Sequence, residues 1–138
     1  MASPRSVQVR HLPPDVAAFE GDGTAVEFAS YLAAAGALAP SDLIFVAARA
    51  RAACLQKALG LLAPGGVVVL HDANRDAYLG TTSRYPKQLL FRDHRQVRKA
   101  AAGGVWVGGK ECDPASLVRV GLHRRLWAFY SEIGCPLS

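Results

Sequence analysis

Residues 42–72 decide the fold of this chain, and their sequence is DLIFVAARARAACLQKALGLLAPGGVVVLHD. Apolar, β-branched runs stand near both ends, from Leu43 to Val46 and from Val67 to Leu70, and each is too short for a helix. Between them, Ala48 to Leu62 is rich in good helix formers and is followed by Pro64-Gly65-Gly66, a predicted stop. The order strand, helix, strand predicts a βαβ unit whose two parallel strands are buried.

The flanking segments complete an α/β domain that spans residues 1–138, with its core at 42–109. We predict a mostly parallel, incomplete sheet that ends in an antiparallel hairpin and is followed by a C-terminal helix. Residues 1–41 contribute an edge strand and a helix. The predicted edge strand runs from Ser6 to Arg10, and the predicted helix from Ala25 to Ala35, after a Thr24 cap. The predicted hairpin strands are Gln88 to Phe91 and Gly104 to Val107. The last helix is predicted from Ala115 to about Ile133, within the segment 113–133.

The composition is that of a folded globular domain. Of its 138 residues, 51% are hydrophobic and 20% are charged, which argues against disorder. No apolar run reaches the roughly 18 residues that cross a bilayer, and the first residues lack the apolar centre of a signal peptide, so we expect a cytoplasmic protein. Cys54, Cys112 and Cys135 contain no close pair, which argues against a zinc cluster or a disulfide framework.

Charge is spread unevenly along the chain. Residues 1–48 carry two basic and five acidic side chains, a net −3, whereas residues 49–138 carry fourteen basic and six acidic ones, a net +8. One cluster of basic side chains is compatible with a nucleic-acid-binding surface. No nucleic-acid-binding motif accompanies it, so we favour the interpretation that these side chains form a solvent-exposed face of the hairpin. Its members are Arg84, Lys87, Arg92, Arg95, Arg98 and Lys99.

Three segments carry a family resemblance: DLIFV at 42–46, LLAPGGVVVLHD at 61–72 and GGVWVG at 103–108. Together they resemble the C-terminal half of class I S-adenosylmethionine (SAM)-dependent methyltransferases, which have a Rossmann-like fold. The segments are similar to the fourth strand, its helix, the fifth strand and the closing hairpin of that family. The resemblance implies that residues 6–12 and 24–36 correspond to the third strand and to the helix before the fourth.

The resemblance also implies positions for a site at the carboxyl ends of the strands, where α/β sheets bind ligands. The cofactor SAM would lie near Val46, Ala47, Ala48 and Arg49. His71 and Asp72 would act near the methyl acceptor as proton carrier and general base, and Asp72 matches the acidic metal ligand of metal-dependent members. Arg75 and Tyr78 would contact the substrate, since an arginine can clamp a carboxylate or phosphate.

Two departures from the family pattern change the predicted function. The chain has no Gly-x-Gly-x-Gly loop, which in the family lets the backbone approach SAM, and Ala47-Ala48 stands where related sequences continue with Asp-Gly. We therefore predict a non-catalytic binding or oligomerisation module, without SAM or a divalent metal. The alternatives are an active SAM-dependent methyltransferase, completed by a partner chain, and a basic nucleic-acid-binding module.

Structural roles compete with these catalytic ones. His71 and Asp72 could cap the following helix, with Arg75 paired to Asp72 or Asp76, and we favour this interpretation because no second acidic metal ligand is apparent. Arg49 and Arg51 follow the first core strand, where they would meet an anionic substrate or, more commonly, pair with nearby carboxylates.

A truncated sheet leaves the strand Leu43 to Val46 with an unpaired edge. An exposed apolar edge promotes aggregation unless something covers it. We predict that either the N-terminal strand pairs there or another chain does, as a homo-oligomer or a partner protein.

Overall fold

A computed structural model describes residues 9–47, 49–91 and 103–132. Four strands form one sheet in the order β1-β2-β4-β3, and β1–β2 is its parallel pair. The other two pairs, β2–β4 and β3–β4, are antiparallel. The elements in chain order are α1 (Ala29–Ala35), a 3-10 helix (Gly36–Leu38), β1 (Ser41–Val46), α2 (Arg51–Leu61), β2 (Leu62–His71), a 3-10 helix (Asp76–Tyr78), α3 (Leu79–Thr82), β3 (Lys87–Phe91), β4 (Val105–Gly109), α4 (Pro114–Leu117) and α5 (Val120–Glu132).

The α/β class, the βαβ unit and the antiparallel hairpin are confirmed, but the prediction of a mostly parallel sheet is wrong. A parallel pair needs a crossover, and the described residues supply one, α2 between β1 and β2. The hairpin strand β4 then pairs with β2 in the antiparallel sense, from Val67–Gly109 to His71–Val105. The sheet is therefore mixed.

The Pro64-Gly65-Gly66 segment lies inside β2 and is not a stop before it. The β1–β2 register passes from Ser41–Leu62 directly to Leu43–Val67, so β2 contains three more residues than β1 over this interval. Gly65 has a φ of +79°, in the region that favours glycine. A Cβ on Gly66 would lie only 2.7 Å from the Ser41 carbonyl oxygen. The glycines thus let a bulge pass close to β1.

The core lies between α2 and one face of the sheet. Val46, Leu55, Val68 and Leu70 are buried there together with Trp106. The ring of Tyr85 meets that of Trp106 edge to face, with centroids 4.9 Å apart. The Tyr85 hydroxyl donates to the Leu55 carbonyl over 2.6 Å, which joins the segment before β3 to α2.

The prediction that both core strands are buried holds for β2 but is wrong for half of β1. Ile44 and Val46 face α2, while Leu43 and Phe45 are 62% and 63% exposed on the opposite face. β1 lies at the edge of the sheet, so its side chains have strand neighbours on one side only. A buried parallel strand needs a covering layer on both faces, and this region of the described chain has one.

Both ends of the described chain differ from the predicted elements. Val9 and Arg10 are not in a strand, and the rest of the predicted strand 6–10 lies outside the described residues. The first helix begins at Ala29 rather than Ala25, because residues before it form a turn in which Thr24 and Glu27 bond reciprocally.

The predicted C-terminal helix is two helices, α4 and α5, since Val118 is extended between them. The helix start at Asp113-Pro114 is confirmed: the Asp113 carboxylate accepts a hydrogen bond from the Ala115 amide. Among the described residues, no helix is long and apolar enough to cross a membrane.

Candidate functional site

The predicted site lies where β1 and β2 end in parallel, at Val46 and His71. Two residues just beyond these ends have left-handed backbone conformations although neither is glycine: Ala50, with φ +50°, and Asp72, with φ +56°. Such conformations cost of order 1–3 kcal/mol and occur where the surrounding contacts enforce them. The contacts here come from a charged cluster.

Arg51 is the centre of that cluster, and its side chain is only 8% exposed. Its guanidinium donates from Nη1 to the Tyr78 hydroxyl over 3.0 Å and from Nη2 to the Ala47 carbonyl over 3.2 Å. Two carboxylates lie beside it, Asp22 at 3.3 Å and Asp72 at 3.6 Å. We call Arg51, Asp22, Asp72 and Tyr78 the Arg51 cluster.

The charge of Arg51 is stabilised in place. Burial on its own would lower the pKa of Arg51, but the Tyr78 hydrogen bond and the two carboxylates outweigh it and raise that pKa. A buried guanidinium that meets carboxylates and hydroxyls in this way remains protonated at every physiological pH. Arg51 therefore contributes a permanent positive charge to the cluster.

Asp22 reaches the cluster from a loop distant in sequence. Its carboxylate accepts a hydrogen bond of 2.8 Å from the Arg51 amide, and its carbonyl accepts one of 2.5 Å from the Ala50 amide. Arg49 donates to the Gly21 carbonyl over 3.0 Å and lies 5.8 Å from the centre of the Phe19 ring. The loop 19–23 is thus fastened to the start of α2, and Asp22 supplies the N-cap that Ala50 cannot.

Asp72 uses both carboxylate oxygens. Oδ1 accepts a hydrogen bond of 3.1 Å from the Gly103 amide, and Oδ2 lies 3.5 Å from His71 Nδ1 as well as near Arg51. The predicted cap is wrong, because the 3-10 helix Asp76–Tyr78 begins without a side-chain cap. Asp72 instead joins the end of β2 to the segment that leads into β4.

The structure brings only part of the predicted site together. Asp72 and Tyr78 meet through Arg51, and the half-exposed His71 side chain stands next to them. Val46 lies in the hydrophobic core, Ala47 is exposed, and Arg75 is half-buried; Ala48 lies outside the described residues. The predicted pairing of Arg51 with carboxylates is confirmed.

Sequence reasoning misses Asp22, which lies between Gly21 and Gly23. One feature of the sequence indicates that α2 needs a capping residue from elsewhere in the chain. The residues before α2, Ala47 to Ala50, include no Ser, Thr, Asp or Asn, so this helix has no capping residue of its own. A missing cap on a core helix calls for a partner from elsewhere in the chain.

The contacts of the cluster hold segments of the chain together. One guanidinium is shared by two carboxylates, and among the described residues Asp22 Oδ1 and Arg51 Nε are buried without a hydrogen-bond partner. Within the described ranges, no three His, Cys, Asp or Glu side chains stand close enough to hold a metal ion. The Arg51 cluster ties five segments together: loop 19–23, α2, the end of β2, the 3-10 helix Asp76–Tyr78 and the segment before β4.

A second candidate surface lies on the sheet face that points away from α2. The strand registers place two apolar residues of every strand on it: Leu43 and Phe45, Val67 and Val69, Leu89 and Phe91, and Val105 and Val107. We call these eight residues the outer face; Val67 and Val107 are buried in it. Its part on β1 is the most exposed, and the outer edge of β1 has no pairing strand in the described chain.

Only two members of the predicted basic cluster fall within the described residues. Lys87 begins β3 and donates from Nζ to the Glu111 carbonyl over 2.6 Å. Arg84 is exposed in the turn before it, and Arg92, Arg95, Arg98 and Lys99 lie outside the described residues.

Comparisons of this chain with protein-family models, with curated proteins and with solved structures found no match.

Proposed function

We propose that this chain is a non-catalytic binding module that associates with a second copy of itself through β1. The observation that carries the proposal is the exposure of Leu43 and Phe45, 62% and 63%, on a strand whose outer edge is open in the described chain. Exposed single apolar residues are common. Two on one face of an edge strand, continuous with Val69 of the next strand, form a patch of the kind that marks an interaction site.

The backbone of β1 supports the same proposal. In a sheet, alternate residues of an edge strand direct their N–H and C=O groups away from the neighbouring strand. β1 has six residues and carries no proline, and its one charged residue is Asp42 near its start. Natural edges are usually protected by charges, prolines or a covering segment. An edge with so little protection favours pairing with another strand.

A second copy of the chain is the simplest pairing partner for the open edge of β1. In a two-fold dimer the same patch serves both partners, so β1 would pair antiparallel with its copy and continue the sheet across the axis. Leu43 and Phe45 would then meet their counterparts. Side chains that lie opposite each other on one face of an antiparallel pair each contribute roughly 0.2–1 kcal/mol.

Several observations support a role without SAM. The carboxyl end of β1, where the resemblance implies the cofactor, is held against loop 19–23 by Asp22 and Arg49. Gly21 and Gly23 have positive φ, but they follow no strand in the described residues. These residues do not fit the glycine-rich loop that approaches SAM, so we derive no methyl-transfer step.

Sedimentation velocity over a concentration series tests the proposal. We expect the wild-type chain to form a dimer and the Phe45→Glu or Leu43→Glu variant to be monomeric, because the carboxylates of the two copies would lie side by side on the joined face and repel each other. Leu79→Glu is the matched control: Leu79 is 61% exposed on α3, away from β1. Circular dichroism would verify that all variants are folded.

A wild-type chain that is monomeric up to about 100 μM would overturn the proposed self-association. A thermal-shift titration with SAM addresses the catalytic alternative separately. A bound cofactor at about 100 times its Kd would stabilise the fold by roughly 2.7 kcal/mol, and such a stabilisation would contradict a role without SAM. We expect no shift.

A further inference from the structure

We infer that helix α5 of the second copy packs on the outer face, so that the two chains exchange their last helix. The inference rests on the proposed self-association and specifies which segment of the partner covers the exposed part of β1. It follows from two apolar surfaces that the same chain leaves uncovered, one on its sheet and one on its last helix.

The helix surface consists of Leu122 and Leu126. They are 40% and 46% exposed and four residues apart, so they project from the same side of α5. Within the described chain, no other helix or strand packs extensively against α5. An amphipathic helix normally turns its apolar stripe towards a core, whereas Leu122 and Leu126 remain exposed.

The dimensions of the two surfaces agree. α5 has thirteen residues, which at about 1.5 Å per residue extend roughly 20 Å. β1 has six residues, which at about 3.3 Å per residue also extend roughly 20 Å. A helix laid along β1 would therefore cover the strand over its length. Leu122 and Leu126 are about 6 Å apart along the helix axis, close to the roughly 7 Å between alternate residues such as Leu43 and Phe45.

The charge distribution along the chain favours α5 of a second copy as the partner helix. Arg125 is exposed and lies beside the stripe of Leu122 and Leu126. At larger scale, residues 1–48 carry a net −3 and residues 49–138 a net +8. A helix from the positive half of one chain is thus electrostatically suited to the negative half of another.

Two-fold symmetry makes the exchange reciprocal. Each chain would donate α5 to its partner and receive one in return, which is the arrangement of a swapped dimer. The short extended segment at Val118 separates α4 from α5, so α5 can point away from its own sheet while α4 stays packed on β3 and β4. The exposed part of the outer face on β1 then acquires a covering helix.

Disulfide trapping between two single-cysteine chains tests the inference. Both chains carry Cys54→Ala, Cys112→Ser and Cys135→Ser; one adds Phe45→Cys and the other, with a distinguishable tag, adds Leu126→Cys. Mild oxidation of the mixture should give the mixed dimer as the main disulfide product. The control mixture replaces Phe45→Cys with Leu79→Cys, and we expect at least fivefold less mixed dimer from it.

Each outcome has a distinct meaning. Efficient trapping between the variants at 45 and 126 supports the exchanged helix. A dimer that depends on Leu43 and Phe45 but gives no such trapping overturns the placement of α5 while self-association stands. A monomeric wild type removes both proposals. One chain that carries both Phe45→Cys and Leu126→Cys and closes an intramolecular disulfide as a monomer shows that α5 covers its own sheet, which also overturns the exchange.

A second measurement needs no cysteines. Leu126→Ala should raise the dimer dissociation constant about tenfold or more if Leu126 fills the interface. Leu117→Ala is the control, since Leu117 is an exposed leucine of α4 outside the proposed contact. Equal dissociation constants for the two variants would contradict the role of α5.

Discussion

The guanidinium of Arg51 donates to the hydroxyl of Tyr78 over 3.0 Å, and both side chains are buried. This bond joins the first turn of α2 to the 3-10 helix that follows β2, and it does so at the edge where α/β proteins commonly bind ligands. In this chain the edge is held by internal contacts, with Asp22 on one side of the guanidinium and Asp72 on the other.

Replacing Arg51 should destabilise the fold strongly. Arg51→Met retains much of the side-chain volume but leaves Asp22 and Asp72 facing each other without a cation. Breaking a buried ion pair costs about 3–5 kcal/mol, and we expect the lower end because both carboxylates are about one-fifth exposed. Urea unfolding followed by circular dichroism would measure the change in the free energy of unfolding.

Two further variants control this prediction. Arg51→Lys keeps the charge but not the planar donor set, so it should lose less stability than Arg51→Met. Arg84→Met removes an exposed arginine and should change stability by less than about 0.5 kcal/mol. If Arg51→Met lowered the free energy of unfolding no more than Arg84→Met does, the Arg51 cluster would not hold these segments together.

The Tyr85 hydroxyl should contribute to stability through its bond to the Leu55 carbonyl. Tyr85→Phe keeps the edge-to-face contact with Trp106 and removes only the hydroxyl. Loss of one buried hydrogen bond costs about 1–1.5 kcal/mol, and chemical denaturation would detect it. Tyr31→Phe, at a partly exposed position, serves as the control. Equal stabilities for the Tyr85→Phe variant and the wild type would contradict the bond.

Stability should fall in alkaline solution through Cys54. Burial, with a smaller contribution from Asp22, raises the pKa of the Cys54 thiol from 9.0 to about 11. Between these values the unfolded state releases the thiol proton and the folded state keeps it. The contribution of this group is therefore complete below about pH 9 and is lost as the pH rises towards about 11.

Thiol reactivity and unfolding together check this prediction. In a chain with Cys112→Ser and Cys135→Ser, alkylation of folded Cys54 should have its pH midpoint near 11, and in urea the midpoint should return to about 8.5. The Cys54→Ala variant should lose less stability than its parent between about pH 9 and 11. A folded-state midpoint no higher than that in urea would disprove the effect of burial.

Two glycines should respond to alanine in opposite directions. Gly104 has a φ of +76°, and a Cβ there would overlap the Asn74 side chain, so Gly104→Ala should destabilise by about 1–3 kcal/mol. Gly60 is a helical residue of α2, and a methyl group added to it would have no neighbouring atom within 4 Å. Gly60→Ala should stabilise by about 0.5–1 kcal/mol. Thermal unfolding of both variants shows whether each substitution raises or lowers the stability of the fold.

The local elements of the core were predictable from sequence. The short β-branched runs at 43–46 and 67–70 and the helix-forming segment between them specified β1, α2 and β2, because these patterns depend on neighbouring residues. The hairpin strands were likewise predicted to within one or two residues. The start of β2 was not predicted, since the bulge at Pro64-Gly65-Gly66 depends on the close approach of β1. The start of α1 and the break at Val118 were also missed.

What only the tertiary structure decided is which residues meet. Asp22 and Arg51 are 29 residues apart, and nothing in their local sequences pairs them; the parallel order of β1 and β2 brings loop 19–23 and Asp72 to the same helix end. The exposure of Leu43 and Phe45 has the same origin. Alternation along β1 determines that they share a face, but only the position of β1 at the sheet edge leaves that face uncovered.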